Sequence, residues 1–298
     1  MLNKILFVIV LGFFAGLTPA NADTDPAASA KVKGRIIAAR VQGHVDAVST
    51  VDGNKRVLHD GDSVSEQTQI VTASGASIIL VFSNGATLNL GGDSNLNIEQ
   101  FQQDPFSTNE KVSDMKVEPG TSTTRLNLTK GELVGKVVHL NVDRGSEFTV
   151  ETPVGAAGIR GTTFRIVFRP GPNGKAFFEV TTADGRVVFK GRTSAELSIP
   201  SGRQIVATFD VASGVPTSPL VLTDVPPAET AEIEAEAQDI ETATISILFL
   251  GGNNGPNGGG GGAGNGGNNG VGPPGSPDNT PSLPAVPAPA ITPGAGGP

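Results

Sequence analysis

From about Lys33 to Leu222 the chain is a succession of short apolar–polar alternations cut by turn residues. Arg35–Val41 and His44–Val48 flank Gln42–Gly43, and Val51–Asn54 and His59–Asp62 read as turns. Gln69–Ala73 and Ala76–Ser83 follow. Asn84–Gly85 then separates two alternating runs, the strongest short-range hairpin signal in the chain. In Thr87–Leu90 the pattern places Leu88 and Leu90 inward and Thr87 and Asn89 outward. Asn95–Phe101, Leu126–Leu128, Leu133–Leu140, Phe148–Val150, Phe164–Phe168 and Phe177–Val180 continue the alternation. Ala183–Asp184–Gly185 predicts a second hairpin leading into Arg186–Lys190, and Ser201–Gly202 turns into Arg203–Phe209. So many short strands with frequent turns and almost no helical period predict an all-β sandwich over residues 33–222. Gln102–Thr123 interrupts the pattern with polar residues and two prolines and is expected to be a long surface loop, either a binding loop or a tolerated insertion.

The period changes after Pro226. Glu229, Glu232, Glu234, Glu236, Asp239 and Glu241 are interleaved with alanines, while Ile233, Ala237, Ile240 and Thr244 recur at helical spacing. An acidic helix with one thin apolar stripe is expected within 226–250, lying on the sandwich by Ile233 and Ile240 or offered to a partner. Prolines at its start and acids in its first turns suit the positive end of the helix dipole. Ile245–Leu250 is apolar enough that it should pair or pack. Residues 251–298 hold 17 Gly, 10 Pro and the single charge Asp278. Such a segment buries too little to offset its ordering entropy, and disorder is expected.

Charge is unevenly spread. All 20 Lys and Arg residues beyond Lys4 lie in residues 23–203 and are balanced there by 20 acids, whereas residues 204–298 carry nine acids and no base. A neutral main domain with an acidic end offers no electrostatic footprint for nucleic acid. The chain has no cysteine, which excludes disulfides, thiol catalysis and thiolate metal sites. Its 14 aromatic residues are all Phe, so carbohydrate platforms built from Tyr or Trp are absent. Residues 1–22 read as an export signal: Lys4, an apolar run from Ile5 to Leu17 that is short for a span, and Ala20–Asn21–Ala22 as the cleavage pattern. Cleavage after Ala22 would leave a periplasmic or secreted chain with no transmembrane span.

The stretch from Thr152 to Phe164 is the most informative. Pro153, Gly155 and Gly158 break one strand-like run, glycine being able to take positive φ without strain, and Arg160–Gly161–Thr162–Thr163–Phe164 opens the next. Uninterrupted alternation would put Arg160, Thr162, Phe164, Ile166 and Phe168 on the core face and Arg165 and Arg169 on the other. An inward Arg160 would tie the turn to neighbouring carbonyls or a carboxylate, or clamp an anionic ligand, and its loss would then cost several kcal/mol, on the order of 3.

This stretch resembles the signature of the FecR domain family: threonine–proline, small residues, then arginine–glycine–threonine and phenylalanine. Gly61–Asp62, Thr72–Ala76, Ser83–Ala86, Gly131–Leu133 and Asp184–Gly185 are similar to the family's ordered landmarks, so the resemblance spans roughly Gln67 to Val188. It implies an all-β sandwich of jelly-roll type and a binding or sensing role outside the cytoplasm, in which Thr152, Pro153, Arg160, Gly161, Thr162 and Phe164 are structural signature residues. Founding members relay an iron-transport signal across the inner membrane to a sigma-factor regulator. Here an export signal stands in place of the cytoplasmic region and span, so the fold and a general sensing role are what carries over.

Catalytic chemistry is not signalled. His44, His59 and His139 lack zinc spacing, and no serine sits in a nucleophile elbow. Asp60 and Asp62 around Gly61 suit a turn, or calcium with backbone carbonyls. No acid pair is singled out for glycoside hydrolysis. The expectation is a non-enzymatic, exported FecR-type binding or sensing module with no cofactor, whose partner is a protein or small-molecule ligand outside the cytoplasm. A structural or adhesive component of the envelope or extracellular matrix is the alternative, and a hydrolase is the remaining one.

Overall fold

The computed structural model describes residues 30–106 and 110–249. The expected export signal (1–22) and the Gly/Pro-rich segment (251–298) lie outside these residues. Strands, numbered in chain order, form two sheets, and one strand belongs to both.

Sheet A runs β4 (Lys55–Val57), β3 (Val45–Ser49), β6 (Thr68–Thr72), β9 (Asn95–Gln103), the first half of β10 (Ser122–Lys136), β11 (Glu147–Thr152), β12 (Gly155–Ile159), β15 (Arg186–Gly191) and β16 (Glu196–Pro200). The short β1 (Val32–Lys33) pairs with the end of β9. Sheet B runs β5 (Ser63–Val64), β2 (Ile36–Gln42), β7 (Ser77–Phe82), β8 (Thr87–Leu90), the second half of β10, β13 (Thr163–Pro170), β14 (Lys175–Asp184) and β17 (Arg203–Asp210). The two-residue strands β18 (Val215–Pro216) and β19 (Thr223–Asp224) finish its edge. Every ladder is antiparallel except β10 with β11, where Thr123–Asn127 lie alongside Glu147–Glu151.

The inner faces meet in one core. Sheet A contributes Ile70, Leu96, Ile98, Phe101, Leu126, Leu128, Phe148, Val150 and Phe189, and sheet B contributes Leu80, Phe82, Leu88, Leu133, Phe164, Ile166, Phe168, Phe178 and Phe209. Each fully buried aliphatic or aromatic side chain is worth roughly 1.5–3 kcal/mol against exposure, so the core stabilises the fold without cross-links. Phenylalanine pairs join the sheets near both ends. Phe82 meets Phe101 edge-on at 5.0 Å, and Phe178 meets Phe189 at 4.8 Å.

β10 passes from one sheet to the other at Gly131. Before it, Leu126 and Leu128 pair with Ile98 and Leu96; beyond it, Leu133 lies between Leu90 and Ile166. Gly131 sits at φ 107°, and a β-carbon there would fall 1.9 Å from Ser94 Oγ. That oxygen also accepts the Glu132 N–H at 3.1 Å. What reads in sequence as two strands, Leu126–Leu128 and Leu133–Leu140, is therefore one strand bent through a glycine.

Two sequence expectations meet different fates. Asn84–Gly85 does form the β7–β8 hairpin, with Ile78 opposite Leu90 and Val81 opposite Thr87. Asp184–Gly185 does not form a hairpin. β14 pairs with β13 and β17 in sheet B, while β15 pairs with β12 and β16 in sheet A. The turn is a corner between layers, and turn residues alone do not distinguish a chain that folds back in its own sheet from one that crosses to the next.

The one α-helix described, α1 (Pro227–Thr244), lies on the outer face of sheet B. Ile233 and Ile240 are fully buried against Ile79, Val81 and Val134. Thr87, expected to face water, is consequently buried, and Asn89 is half-buried. Beyond the helix, Phe249 is buried, whereas Ile245 remains exposed.

Gly131→Ala should lower unfolding free energy by about 3 kcal/mol or more, because positive φ and a steric clash coincide. Urea titration of the variant against the parent chain, followed by circular dichroism, measures it; a loss below about 1 kcal/mol would contradict the pivot.

Candidate functional site

The signature stretch spans one hairpin and one corner. β11 ends at Thr152, whose hydroxyl donates to the Gly155 carbonyl at 2.8 Å across the two-residue turn Pro153–Val154. Pro153 needs no ladder partner in the turn, and Val154 is fully buried. Gly155 and Gly158, expected as positive-φ breakers, are strand residues of β12 instead. A β-carbon at Gly155 would lie 2.6 Å from the Lys190 carbonyl oxygen, so this glycine permits close strand approach.

Gly161 makes the corner. Its φ of 77° turns the chain from β12 in sheet A into β13 in sheet B. The carbonyl of Gly161 lies 2.4 Å from where a β-carbon at Gly185 would stand, so two corners pack together. Beyond Gly161 the expected inward set is buried: Thr162, Phe164, Ile166 and Phe168. Arg160 is not part of it. It is exposed and makes no hydrogen bond or ion pair among the described residues. The alternation that would have turned it inward stops at Gly161, and Arg160 follows the parity of β12, in which Ala157 and Ile159 point in.

Beside this corner opens a cavity of about 300 Å³. Its floor is the end of sheet B, with Thr87, Lys136, Thr162 and Thr163. Val112, Ser113 and Met115 of the 104–121 connection close one side, and Ile240, Glu241 and Thr244 of α1 close another. Lys116, His139 and Asp184 ring it. Lys136 Nζ pairs with Glu241 at 3.2 Å across the opening. Thr162 lines the cavity, is 2% exposed, and its Oγ1 has no hydrogen-bond partner among the described residues. Buried hydroxyls are normally satisfied, so this one is an uncompensated polar atom in the wall of the cavity. Mixed polar and apolar walls with both charge signs suit a small polar molecule.

Of the 104–121 connection, the described residues 104–106 and 110–121 are tied to the domain. Glu118 is buried and accepts the Asn141 N–H at 2.6 Å, the Ser122 hydroxyl at 2.6 Å and the Ser146 hydroxyl. Asp104 accepts both the N–H and the hydroxyl of Thr121 at 2.8 Å. The Val112 N–H donates to the Ile247 carbonyl at 3.0 Å, tying the connection to the segment after α1. A surface loop expected from polarity thus forms a wall. Val112 and Met115, apolar and three apart in a polar stretch, are the signal that could have shown it.

Beneath the N-terminal half of α1 lies a cluster of acids. Arg165 Nε is 3.1 Å from Glu179 and 3.3 Å from Glu132, though aimed too poorly at either for a hydrogen bond, and Arg165 Nη1 is 3.7 Å from Glu232. Arg169 holds Glu132 from outside at 2.8 Å. The Thr181 hydroxyl is 2.9 Å from Glu229 and 3.4 Å from Glu179. The Gln204 amide, its nitrogen turned toward the helix, donates to Glu229 at 2.8 Å. Burial, reinforced by Glu229 and Glu132 and opposed by Arg165, raises the Glu179 carboxyl to about 7. Burial also raises Glu236, which accepts from Asn89 at 3.2 Å. Arg165 is where the alternation put it, on the outer face; that a helix carrying acids at 229, 232 and 236 would cover it was not legible.

The remaining candidates are dispersed. Asp62 accepts the His59 N–H at 2.9 Å and pairs with Arg56 at 3.0 Å, and the His59 N–H is the main cause of its lowered carboxyl pKa. Asp60 accepts the Val41 N–H at 2.6 Å. Both carboxylates thus serve the turn. His44 pairs with Asp46, far in sequence from His139 at the cavity.

Arg160→Ala should change stability by no more than about 0.5 kcal/mol, in contrast to the cost an inward arginine would carry. Thr162→Val, which exchanges an unpaired buried hydroxyl for a methyl, should be neutral or stabilising by up to about 1 kcal/mol. Thermal unfolding of both variants beside the parent chain is the check, and a large loss in either would refute the assignment.

No curated protein matches the chain. Two crystal structures of a candidate anti-sigma factor from Parabacteroides distasonis ATCC 8503 are similar, at 12% and 13% identity, each over 57% of this chain and 64% of that one, with a TM-score of 0.38. This chain therefore spans less than two thirds of their length. The family model described as FecR protein matches residues 68–188, from β6 through the signature corner into β15. Those residues, less than half of the chain, are similar to the FecR family.

Proposed function

We propose that this chain is a non-enzymatic sensing or regulatory module of the FecR type, working outside the cytoplasm, with the cavity at the signature corner as its ligand site. The observation that carries the reading is a cavity of about 300 Å³ lined in part by the signature residues Gly161 and Thr162, where the buried Thr162 hydroxyl has no partner among the described residues. The similarity to the FecR family supports a signal-sensing role, and the signal-like residues 1–22 support export. The ligand is small and polar, because the cavity holds about 300 Å³ and presents hydroxyls, lysines and carboxylates together. Its walls come from the sheet, the 104–121 connection and α1, so occupancy can be felt by elements that are not part of the sandwich.

Thermal unfolding of the full-length mature chain against ferric chelates, saccharides, peptides and calcium tests this. A ligand that binds only the folded protein stabilises it by about 2.7 kcal/mol at a hundredfold excess over Kd, seen as a dose-dependent rise in Tm. Ser113→Trp, which fills the cavity from the half-buried turn at its rim, should abolish that rise while leaving Tm without ligand nearly unchanged. No rise with any compound, or a rise that survives Ser113→Trp, overturns the cavity as the site and favours a structural envelope role, to be read by fractionation and cross-linking in intact cells.

A further inference from the structure

α1 is attached to sheet B unevenly. Its C-terminal half is fixed by Ile240 in the outer apolar cluster and by Lys136 to Glu241. Asp239 pairs with Arg40 at 2.5 Å in the same half, whereas Ile233 is the buried apolar anchor of the N-terminal half. The N-terminal half lies over the acidic cluster. Facing Glu179 there are Arg165 from β13, Glu132 from β10, Thr181 from its own strand and Glu229 from α1, with Gln204 of β17 bonded to Glu229 and Glu232 of α1 paired to Arg165. Glu236 of α1 adds a further, half-buried carboxyl, and Arg169 pairs with Glu132. Five carboxyl groups thus share two guanidiniums under one face of the helix, and Glu179 is 6% exposed. Like charges this close cannot all ionise without cost, and a proton on Glu179 relieves the repulsion.

We propose that α1 is a proton-controlled strap: it lies closed on sheet B while Glu179 is protonated, and its N-terminal half opens more readily once Glu179 is ionised. The inference stands apart from the ligand reading, since it requires nothing in the cavity, although α1 also walls that cavity. Its sign follows from linkage. A free carboxyl ionises near 4.5, and beneath the docked helix the carboxyl of Glu179, in β14, is raised to about 7. Docking therefore takes up a proton between those values. The stabilisation is complete below the ordinary carboxylate range and is lost as pH rises through about 7. Arg165 and the helix N-terminus oppose the effect by favouring ionised carboxylates, which limits its size without reversing it.

Hydrogen exchange of the full mature chain, corrected for intrinsic exchange rates, tests the strap through the amides of residues 231–240. Their protection should be lower than that of residues 133–135 in β10 and should fall about tenfold between pH 6 and pH 8, the change expected for one linked proton. Glu179→Gln, close in shape and permanently neutral, should remove that fall. Glu229→Gln, changed on the helix and outside the sandwich core, takes away one charge that keeps Glu179 protonated, so it should lessen the fall and guards against misfolding of the first variant. The strap is overturned if the α1 amides exchange only as slowly as β10, if protection does not fall with pH, or if both variants keep the fall.

Discussion

β10 must pass close enough to Ser94 to serve two sheets at once, and only a residue without a side chain allows that passage. Ser94 occupies the space a β-carbon at Gly131 would need, and its hydroxyl accepts the Glu132 N–H just beyond the bend. With the bend in place, the first half of β10 lies between β9 and β11 and the second half between β8 and β13. The same continuous strand therefore fixes the distance and angle between the layers, and the Phe82–Phe101 and Phe178–Phe189 contacts fill the space it sets. Close-packed interiors tolerate little change in such a spacing.

The signature stretch repeats this logic at a second place. Gly161 turns the chain between sheets, and Gly185, where the chain crosses back, packs on the Gly161 carbonyl. Phe164 then enters the core, and Thr162 is left at the lip of the layer with its hydroxyl buried. A corner between two sheets leaves backbone and side-chain polar groups at the end of the sandwich, where strand pairing cannot reach them. The cavity sits there for that reason. Its other walls, the 104–121 connection and α1, are joined to each other through Val112 and Ile247.

The outer face of sheet B shows how a thin apolar stripe can hold an acidic helix. Ile233 and Ile240 supply the non-directional burial, and cations that point outward from the strands, Arg40, Lys136 and Arg165, supply the register. Exposed pairs of this kind contribute little each, about 0–1 kcal/mol, so the apolar contacts decide that the helix docks and the charges decide where. The crowded carboxyls around Glu179 are the exception, because burial there makes the protonation state part of the packing.

Strand periodicity made the all-β class, the Asn84–Gly85 hairpin and the inward run Thr162–Phe164–Ile166–Phe168 legible from the residues alone, since side chains alternate on a strand whatever its neighbours are. The helix at 227–244 was legible from the spacing of Ile233 and Ile240, and the similarity of residues 68–188 to the FecR family from the order of the landmarks. Which sheet each strand joins was not, because a glycine turn reads alike whether the chain folds back or crosses over; hence Asp184–Gly185 proved a corner and Arg160 faced outward. The cavity and the acidic cluster were also beyond the sequence. Their residues come from strands, a connection and a helix far apart along the chain, and only tertiary packing brings Thr162, Met115 and Glu241, or Glu179 and Glu229, within reach of one another.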